Sequence, residues 1–165
     1  MQDSLRGAPK VRGIGLVLYD ERGQIFIVAE GIAKPLYDKK VGDLSIPWET
    51  MEMGADGKLE SIATALERVL TEEVGFEVLI SPPILLLEFM LNGEIPQEIY
   101  FAECQGARRF GGTAIETGEL LGWEWAYSED IRNYRVRGGM KEILDAWDRH
   151  VGLQRQDWRY DAKSF

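Results

Sequence analysis

Two adjacent glutamates at the end of a predicted helix are the residues in this sequence most suited to chemistry. Glu72 and Glu73 follow Arg68 by one helical turn in the stretch GADGKLESIATALERVLTEEVGF. Adjacent helical side chains project about 100° apart, so both carboxylates can serve one site only from its flank. Two close carboxylates repel each other, and a cation between them lets both stay ionised. Because Mg²⁺ prefers oxygen ligands and often bridges carboxylates to phosphates, the pair indicates a magnesium site.

Helical periodicity positions this pair. Apolar residues recur on one face from Leu59 to Val74, which predicts a helix over this range. Gly75 then occupies the place of a helix-terminating glycine in the left-handed conformation. Arg68 precedes Glu72 by four residues, so we expect an ion pair with Glu72, or alternatively with Glu60.

The same stretch resembles the Nudix box, G-x5-E-x7-R-E-U-x-E-E-x-G-U, in which U is a bulky aliphatic residue. The matching residues, at the family's spacing, are Gly54, Glu60, Arg68, Leu70, Glu72, Glu73 and Gly75. The resemblance implies an α/β fold, namely a Nudix-type α/β/α sandwich with a mixed central sheet. It implies hydrolysis of the pyrophosphate of a nucleoside diphosphate linked to another group, by Mg-assisted attack of water. The catalytic candidates that follow are Glu72, Glu73, Arg68 and Glu60.

The glycine of the box can be matched in two registers. One takes Gly54 from its spacing to the following glutamate. The other reads the segment PWETMEMG as the family's P-G-G-x-U-E-x-G, which makes residues 55–59 an insertion. We favour the second register because it also accounts for Pro47 and Glu52. In that register the backbone carbonyl expected to bind metal belongs to Glu49. The metal-ligand candidates from both registers are Glu72, Glu73, Glu49 and Gly54.

One box position departs from the family in a way that leaves a second function open. Val69 stands where the family has a glutamate that often binds metal or takes part in catalysis. The absence of this glutamate is expected to weaken Mg²⁺ binding. The alternative is therefore a Nudix-fold binding or regulatory module with little or no catalysis. The retained glutamates at 72 and 73 favour the enzyme.

Acidic residues after the box offer a replacement ligand or base. Glu116 and Glu119 are the best placed by their order in the chain. The candidate substrate-binding residues are Glu52, Glu116 and Glu119. The pair Arg108-Arg109 is expected on a solvated loop.

The composition limits the remaining classes of function. With 19 Lys and Arg against 28 Asp and Glu, the formal charge is −9, which argues against broad binding to nucleic acid or anionic membrane. The single histidine excludes a histidine-based triad or metal site, and the single cysteine excludes an internal disulfide. The partner implied is a nucleotide-type small molecule, the cofactor Mg²⁺ or Mn²⁺, and a homodimer is a family-level expectation.

The arrangement of elements predicts one domain over residues 1–165, with its core at about 11–150 and a C-terminal tail at 151–165. Strands are predicted at 11–20 and 24–29, around the turn Glu21-Arg22-Gly23, and at 98–104. An amphipathic helix is predicted over 140–150. The polar N-terminus and the absence of a long apolar stretch favour a cytoplasmic protein.

Overall fold

A computed structural model describes residues 11–163 of the chain, with side chains described through residue 152. The N-terminal residues 1–10 and the side chains of most of the predicted tail lie outside this part. The strands are β1 Gly13–Tyr19, β2 Ile25–Glu30, β3 Leu44–Ser45, β4 Trp48–Thr50, β5 Gly75–Ile80, β6 Ile84–Leu91, β7 Ile95–Phe110 and β8 Leu120–Ala126. The helices are α1 Ile62–Val69, α2 Thr113–Glu116, α3 Ser128–Ile131 and α4 Met140–Lys163, with a 3₁₀ turn at Pro35–Tyr37 and a π-helical turn at Leu70–Val74.

A mixed sheet forms the centre of the described residues. Its strands run in the order β3-β2-β1-β7-β5, while β4 pairs with β1, β6 with β7 and β8 with β2. The pair β1–β7 is parallel, in a register from Gly13 opposite Gln97 to Tyr19 opposite Glu103. The other pairs between these strands are antiparallel. This arrangement confirms the predicted mixed sheet.

Two apolar clusters, one on each face of the sheet, complete a three-layer structure. Strand β1 is buried on both faces, as its near-continuous apolar sequence indicates. Ile14, Leu16 and Leu18 pack with α1, the π-helical turn and α2. Val17 packs on the opposite face with α3 and α4, where Trp147 is also buried. The predicted α/β/α sandwich is therefore confirmed.

Several boundaries differ from the sequence prediction. The predicted helix over 59–74 is shorter, since α1 covers Ile62–Val69 and a π-helical turn follows. Gly75 is extended rather than left-handed, with φ 161°, and begins β5. Its lack of a side chain serves close packing, because a Cβ there would lie 2.2 Å from the carbonyl oxygen of Arg109. Arg108 and Arg109 lie on β7, so the predicted loop is wrong.

Helix α4 extends to Lys163 and so includes most of the predicted tail. Among the described residues, none of the helices combines the length and apolarity needed to cross a membrane.

Candidate active site

Helix α1 and its π-helical turn position the two glutamates of the box. Ser61 caps α1, and its Oγ accepts a hydrogen bond from the backbone N–H of Thr64 at 3.2 Å. The π-helical turn at Leu70–Val74 then widens the helix where Glu72 and Glu73 project. Single π turns within helices occur frequently at functional sites, because they change the direction of neighbouring side chains.

A glycine from another element fixes this turn. Gly112, just before α2, packs directly against it, and a Cβ there would lie 2.1 Å from the carbonyl oxygen of Glu72. The neighbouring Gly111 donates its backbone N–H to the carbonyl of Val74 at 2.8 Å. The backbone that carries Glu72 and Glu73 is therefore held against the segment that leads into α2.

Arg68 is the centre of the ion-pair network. Its Nη2 donates to Glu60 Oε1 at 2.5 Å and to the backbone carbonyl of Thr50 at 2.8 Å. Its Nη1 lies 3.6 to 3.7 Å from three further carboxylates, those of Glu49, Glu52 and Glu72. The hydrogen bond to Arg68 lowers the pKa of Glu60 and keeps it ionised. Both predicted partners of Arg68, Glu60 and Glu72, are confirmed.

Glu49 and Glu72 form a close carboxyl pair beside Arg68. Each has a carboxylate oxygen 3.7 Å from Arg68 Nη1, and the charge of Glu72 acts on Glu49. Burial, together with the hydrogen bond to Glu72 and the charge of Glu72, raises the pKa of Glu49 to about 8, although the charge of Arg68 opposes these effects. Without a cation, Glu49 therefore keeps its proton at neutral pH.

Glu73 lies beneath this pair and is only 4% exposed. Its Oε2 accepts the backbone N–H of Trp48 at 2.8 Å, which ties the helix end to β4. Burial raises the pKa of Glu73 well above its ordinary value, and the charges of Glu49 and Glu30 act in the same direction. Glu49 on β4 therefore lies near both Glu72 and Glu73 of the π-helical turn.

The favoured register of the box agrees with the backbone of the 52–60 segment. Glu60 N–H donates to the carbonyl of Glu52 at 2.8 Å, and Met53 pairs with Leu59. Residues 53–59 therefore form a loop whose ends meet between β4 and α1, and the choice of register stays a prediction. Gly54 lies at the base of this excursion, where its N–H donates to Lys58. That the carbonyl of Glu49 binds metal, and the ligand role of Gly54, stay predictions.

Val69 lies in the core rather than among the carboxylates. It has no exposed surface and belongs to the apolar cluster on the α1 face. Val69 removes one carboxyl group of the family motif, and Glu49 on β4 adds a carboxyl group that the motif lacks. The sequence contained one signal for this, since Glu49 replaces a glycine of the P-G-G motif.

A cavity of about 60 Å³ adjoins the carboxyl cluster. Glu119 lines it together with Glu49 and Glu73, and the charge of Glu119 raises the pKa of Glu49. Glu116 lines a separate cavity with Thr71 and Phe76. The side chain of Glu52 is 71% exposed at the edge of the Arg68 network. The substrate roles of Glu52, Glu116 and Glu119 stay predictions.

Sequence reasoning missed several side chains of this cavity. Glu30, Lys39, Trp48 and Arg137 line it and come from distant parts of the chain. Arg137 lies in the segment before α4, whose sequence contains no motif that indicates a binding site. The only local signal was the break of the apolar run of β2 by a glutamate at position 30.

The carboxyl cluster fits a hard divalent cation. Its side-chain donors are all carboxylate oxygens, and a cation beside Glu49 would favour the ionised form of this carboxyl group. Among the residues that the structure describes, no group of three or more potential ligands already surrounds one point.

No protein-family model matches the chain, and no curated protein sequence is significantly similar to it. Solved structures do match. The MutT protein of Methanosarcina mazei Go1 is 14% identical with a TM-score of 0.61, over 88% of this chain and 97% of that protein. An Ap4A hydrolase of C. elegans, in a binary complex, is 14% identical with a TM-score of 0.61, over 88% and 99%. The NUDIX domain of Shewanella oneidensis NrtR, complexed with ADP ribose, is 12% identical with a TM-score of 0.60, over 91% and 97%. The chain therefore has the Nudix fold.

Proposed function

We propose that this protein is a Mg²⁺- or Mn²⁺-dependent hydrolase that cleaves the pyrophosphate of a nucleoside diphosphate linked to another group. The position of Glu49 near both Glu72 and Glu73, with Arg68 beside Glu49 and Glu72, is the observation that carries this proposal. The similar solved structures support the substrate class, since Ap4A and ADP ribose both contain a pyrophosphate linkage between a nucleoside and another group.

Each residue of the cluster has a distinct role in this proposal. Glu49 and Glu72 supply the carboxylates that hold the ion, and Glu73 adds a third carboxyl from below. Arg68 keeps Glu49 and Glu72 in position, and the carboxylate of Glu60 fixes the guanidinium of Arg68. A bound divalent ion would neutralise the diphosphate and lower the pKa of a bound water.

Glu119 is our candidate for the base. It is an exposed carboxylate that lines the cavity beside Glu49. It would accept a proton from the water as the oxygen of that water forms a bond to phosphorus and the pyrophosphate bond to the leaving phosphate oxygen breaks.

The second candidate function is a nucleotide-binding module without hydrolysis. The core position of Val69 favours it, since one glutamate of the box is lost to packing. The NrtR domain with bound ADP ribose also supports binding as a use of this fold. The close contact of Glu49 and Glu72 favours the hydrolase, because a binding module has no need to hold two carboxylates together.

Hydrolysis in the presence of Mg²⁺, followed by chromatographic detection of the nucleotide product released from each substrate, tests the two functions. The panel would contain ADP ribose, a nucleotide sugar, a dinucleoside polyphosphate and a nucleoside triphosphate. The hydrolase predicts release from at least one of these, with a loss of about a hundredfold or more in kcat/KM for Glu72→Gln. Glu119→Gln should lower kcat with little change in KM.

Glu67→Gln is the matched control, because Glu67 lies exposed on the same helix and outside the cluster. It should retain wild-type activity. Calorimetric titration with the same nucleotides separates the alternatives. Tight binding with no release by wild-type protein would favour the binding module, and full activity in Glu72→Gln would refute the assigned metal site.

A further inference from the structure

One side of the cavity beside the carboxyl cluster is cationic. Its lining includes Lys34, Lys39 and Arg137, which come from the segments around the 3₁₀ turn and before α4. The described carboxylates that line it are Glu30, Glu49, Glu73 and Glu119. Two of these, Glu49 and Glu73, belong to the cluster assigned to metal. Three cations therefore face the two carboxylates that remain.

Arg137 is the unusual member of this group. It is only 6% exposed, and its guanidinium carbon lies 4.1 Å from the centre of the Trp48 ring. Its Nη1 lies 3.6 Å from Glu30 Oε1, outside hydrogen-bond distance. Its buried Nε has no hydrogen-bond partner among the described residues. A buried donor left unpaired in this way costs about 1–3 kcal/mol, so a ligand that accepts from it would be favoured.

Lys39 adds a second charge at the same place. Its Nζ lies 3.1 Å from Glu30 Oε2, and its side chain is 13% exposed. Glu30 is 2% exposed, and it forms ion pairs with both Lys39 and Arg137. Two largely buried cations therefore share Glu30, and the other carboxyl groups near Arg137 are Glu73 and Glu49 of the cluster assigned to metal.

The turn that carries Lys39 is fixed to the rest of the site. Gly138 N–H donates to the carbonyl of Asp38 at 2.9 Å, which joins the turn to the segment of Arg137. Asn92 Nδ2 donates to the carbonyl of Leu36 at 3.0 Å. Tyr37, which also lines the cavity, presents a phenol on this fixed turn. The cationic side is therefore built into the fold rather than being a chance meeting of surface lysines.

We infer that Arg137 and Lys39 form a subsite for a phosphate group next to the carboxyl cluster. Guanidinium and ammonium donors make charge-assisted hydrogen bonds to phosphate oxygens. The substrate class rests on the proposed function: the substrate carries a further phosphate group beyond its nucleoside diphosphate, as a nucleoside triphosphate does. A nucleotide linked to an uncharged sugar would leave the subsite without an anion.

The test uses inorganic phosphate as a probe, with ¹⁵N-labelled full-length protein in EDTA at constant ionic strength. The indole N–H signal of Trp48, assigned by its loss in Trp48→Phe, reports on the subsite because Arg137 lies over that ring. Phosphate should shift this signal in a saturable way. Lys39→Gln and Arg137→Lys should each weaken binding by about tenfold or more, the effect of one lost charge-assisted hydrogen bond.

Arg108→Gln is the control, because Arg108 is 70% exposed on β7 and outside the cavity lining. It should change the affinity by less than about twofold, the scale of an isolated surface charge. Lys39→Gln keeps the test decisive should Arg137→Lys fail to fold. No saturable shift in folded wild-type protein, or equal affinity in folded Lys39→Gln, would overturn the subsite. Equal binding of acetate would overturn its assignment to phosphate.

Steady-state kinetics then separate the subsite from the proposed function. Lys39→Gln should raise the ratio of KM for a nucleoside triphosphate to KM for a nucleotide sugar by about tenfold. Phosphate binding at Trp48 without hydrolysis of any substrate would refute the hydrolase and support the subsite. Hydrolysis with an unchanged KM ratio in Lys39→Gln would refute the substrate class.

Discussion

The carboxyl pair of Glu49 and Glu72 predicts an unusual pH dependence of stability in the metal-free protein. A glutamate whose pKa rises from 4.5 to about 8 on folding holds a proton that the unfolded chain has released. Its stabilising effect is complete below about pH 4.5 and is lost as the pH rises through about 8. Between pH 5 and pH 8, the free energy of unfolding should therefore fall.

The size of this fall follows from the same shift. One proton contributes about 1.4 kcal/mol per pH unit over the range where only the folded state binds it. Because the side chain of Glu49 is still 21% exposed, we expect about 3 kcal/mol between pH 5 and pH 8. The buried Glu73, whose pKa is also raised, acts in the same direction.

Urea unfolding in EDTA, followed by tryptophan fluorescence, measures this effect. With a slope of about 2 kcal/mol per molar urea, the midpoint should fall by about 1.5 M from pH 5 to pH 8. Glu49→Gln should remove at least half of that fall, whereas the exposed Glu67→Gln should retain it. Mg²⁺ should flatten the wild-type dependence, since a bound cation favours the ionised pair. An equal fall in wild type and Glu49→Gln would refute the reasoning.

Three further substitutions test the site. Gly112→Ala should lower stability by about 1–3 kcal/mol and reduce activity, because its Cβ would meet the carbonyl of Glu72. Urea unfolding measures the loss, and Gly106→Ala is the control because the described residues leave open space around Gly106. Val69→Glu should lower the free energy of unfolding by about 3 kcal/mol or more, because it places a carboxylate in the core. A strong rise in hydrolysis in this variant would contradict our view that Glu49 replaces the lost carboxylate. Arg68→Gln should lower stability by about 2 kcal/mol in urea unfolding, and complete recovery in Arg68→Lys would contradict the role of the forked guanidinium.

The features that the sequence predicted are those with local causes. The spacing of Arg68 and Glu72 places them one turn apart on a helix, and the structure pairs them at 3.7 Å. The apolar runs predicted the main strands because burial selects those residues. Glu60 also reaches Arg68, since the loop over residues 53–59 returns the chain to the start of α1.

The features that the sequence did not predict depend on contacts between distant segments. Glu49 meets Glu72 because β4 pairs with β1, next to the end of α1. Arg137 reaches Trp48 because the segment before α4 pairs with β3, where Val136 lies opposite Leu44. Gly75 was mispredicted for the same reason: its conformation follows from the approach of β7, not from the end of the helix.

The origin of Glu49 on a strand has a consequence for how the site assembles. Glu72 and Glu73 belong to a helical segment, whereas Glu49 moves with the sheet. An isolated peptide that spans only the box helix would carry two of the three carboxyl groups, and forming that helix alone would not complete the cluster. The affinity for a divalent ion would therefore depend on whether the helix is packed against the sheet. Local detachment of the helix would release the ion before the strands separate.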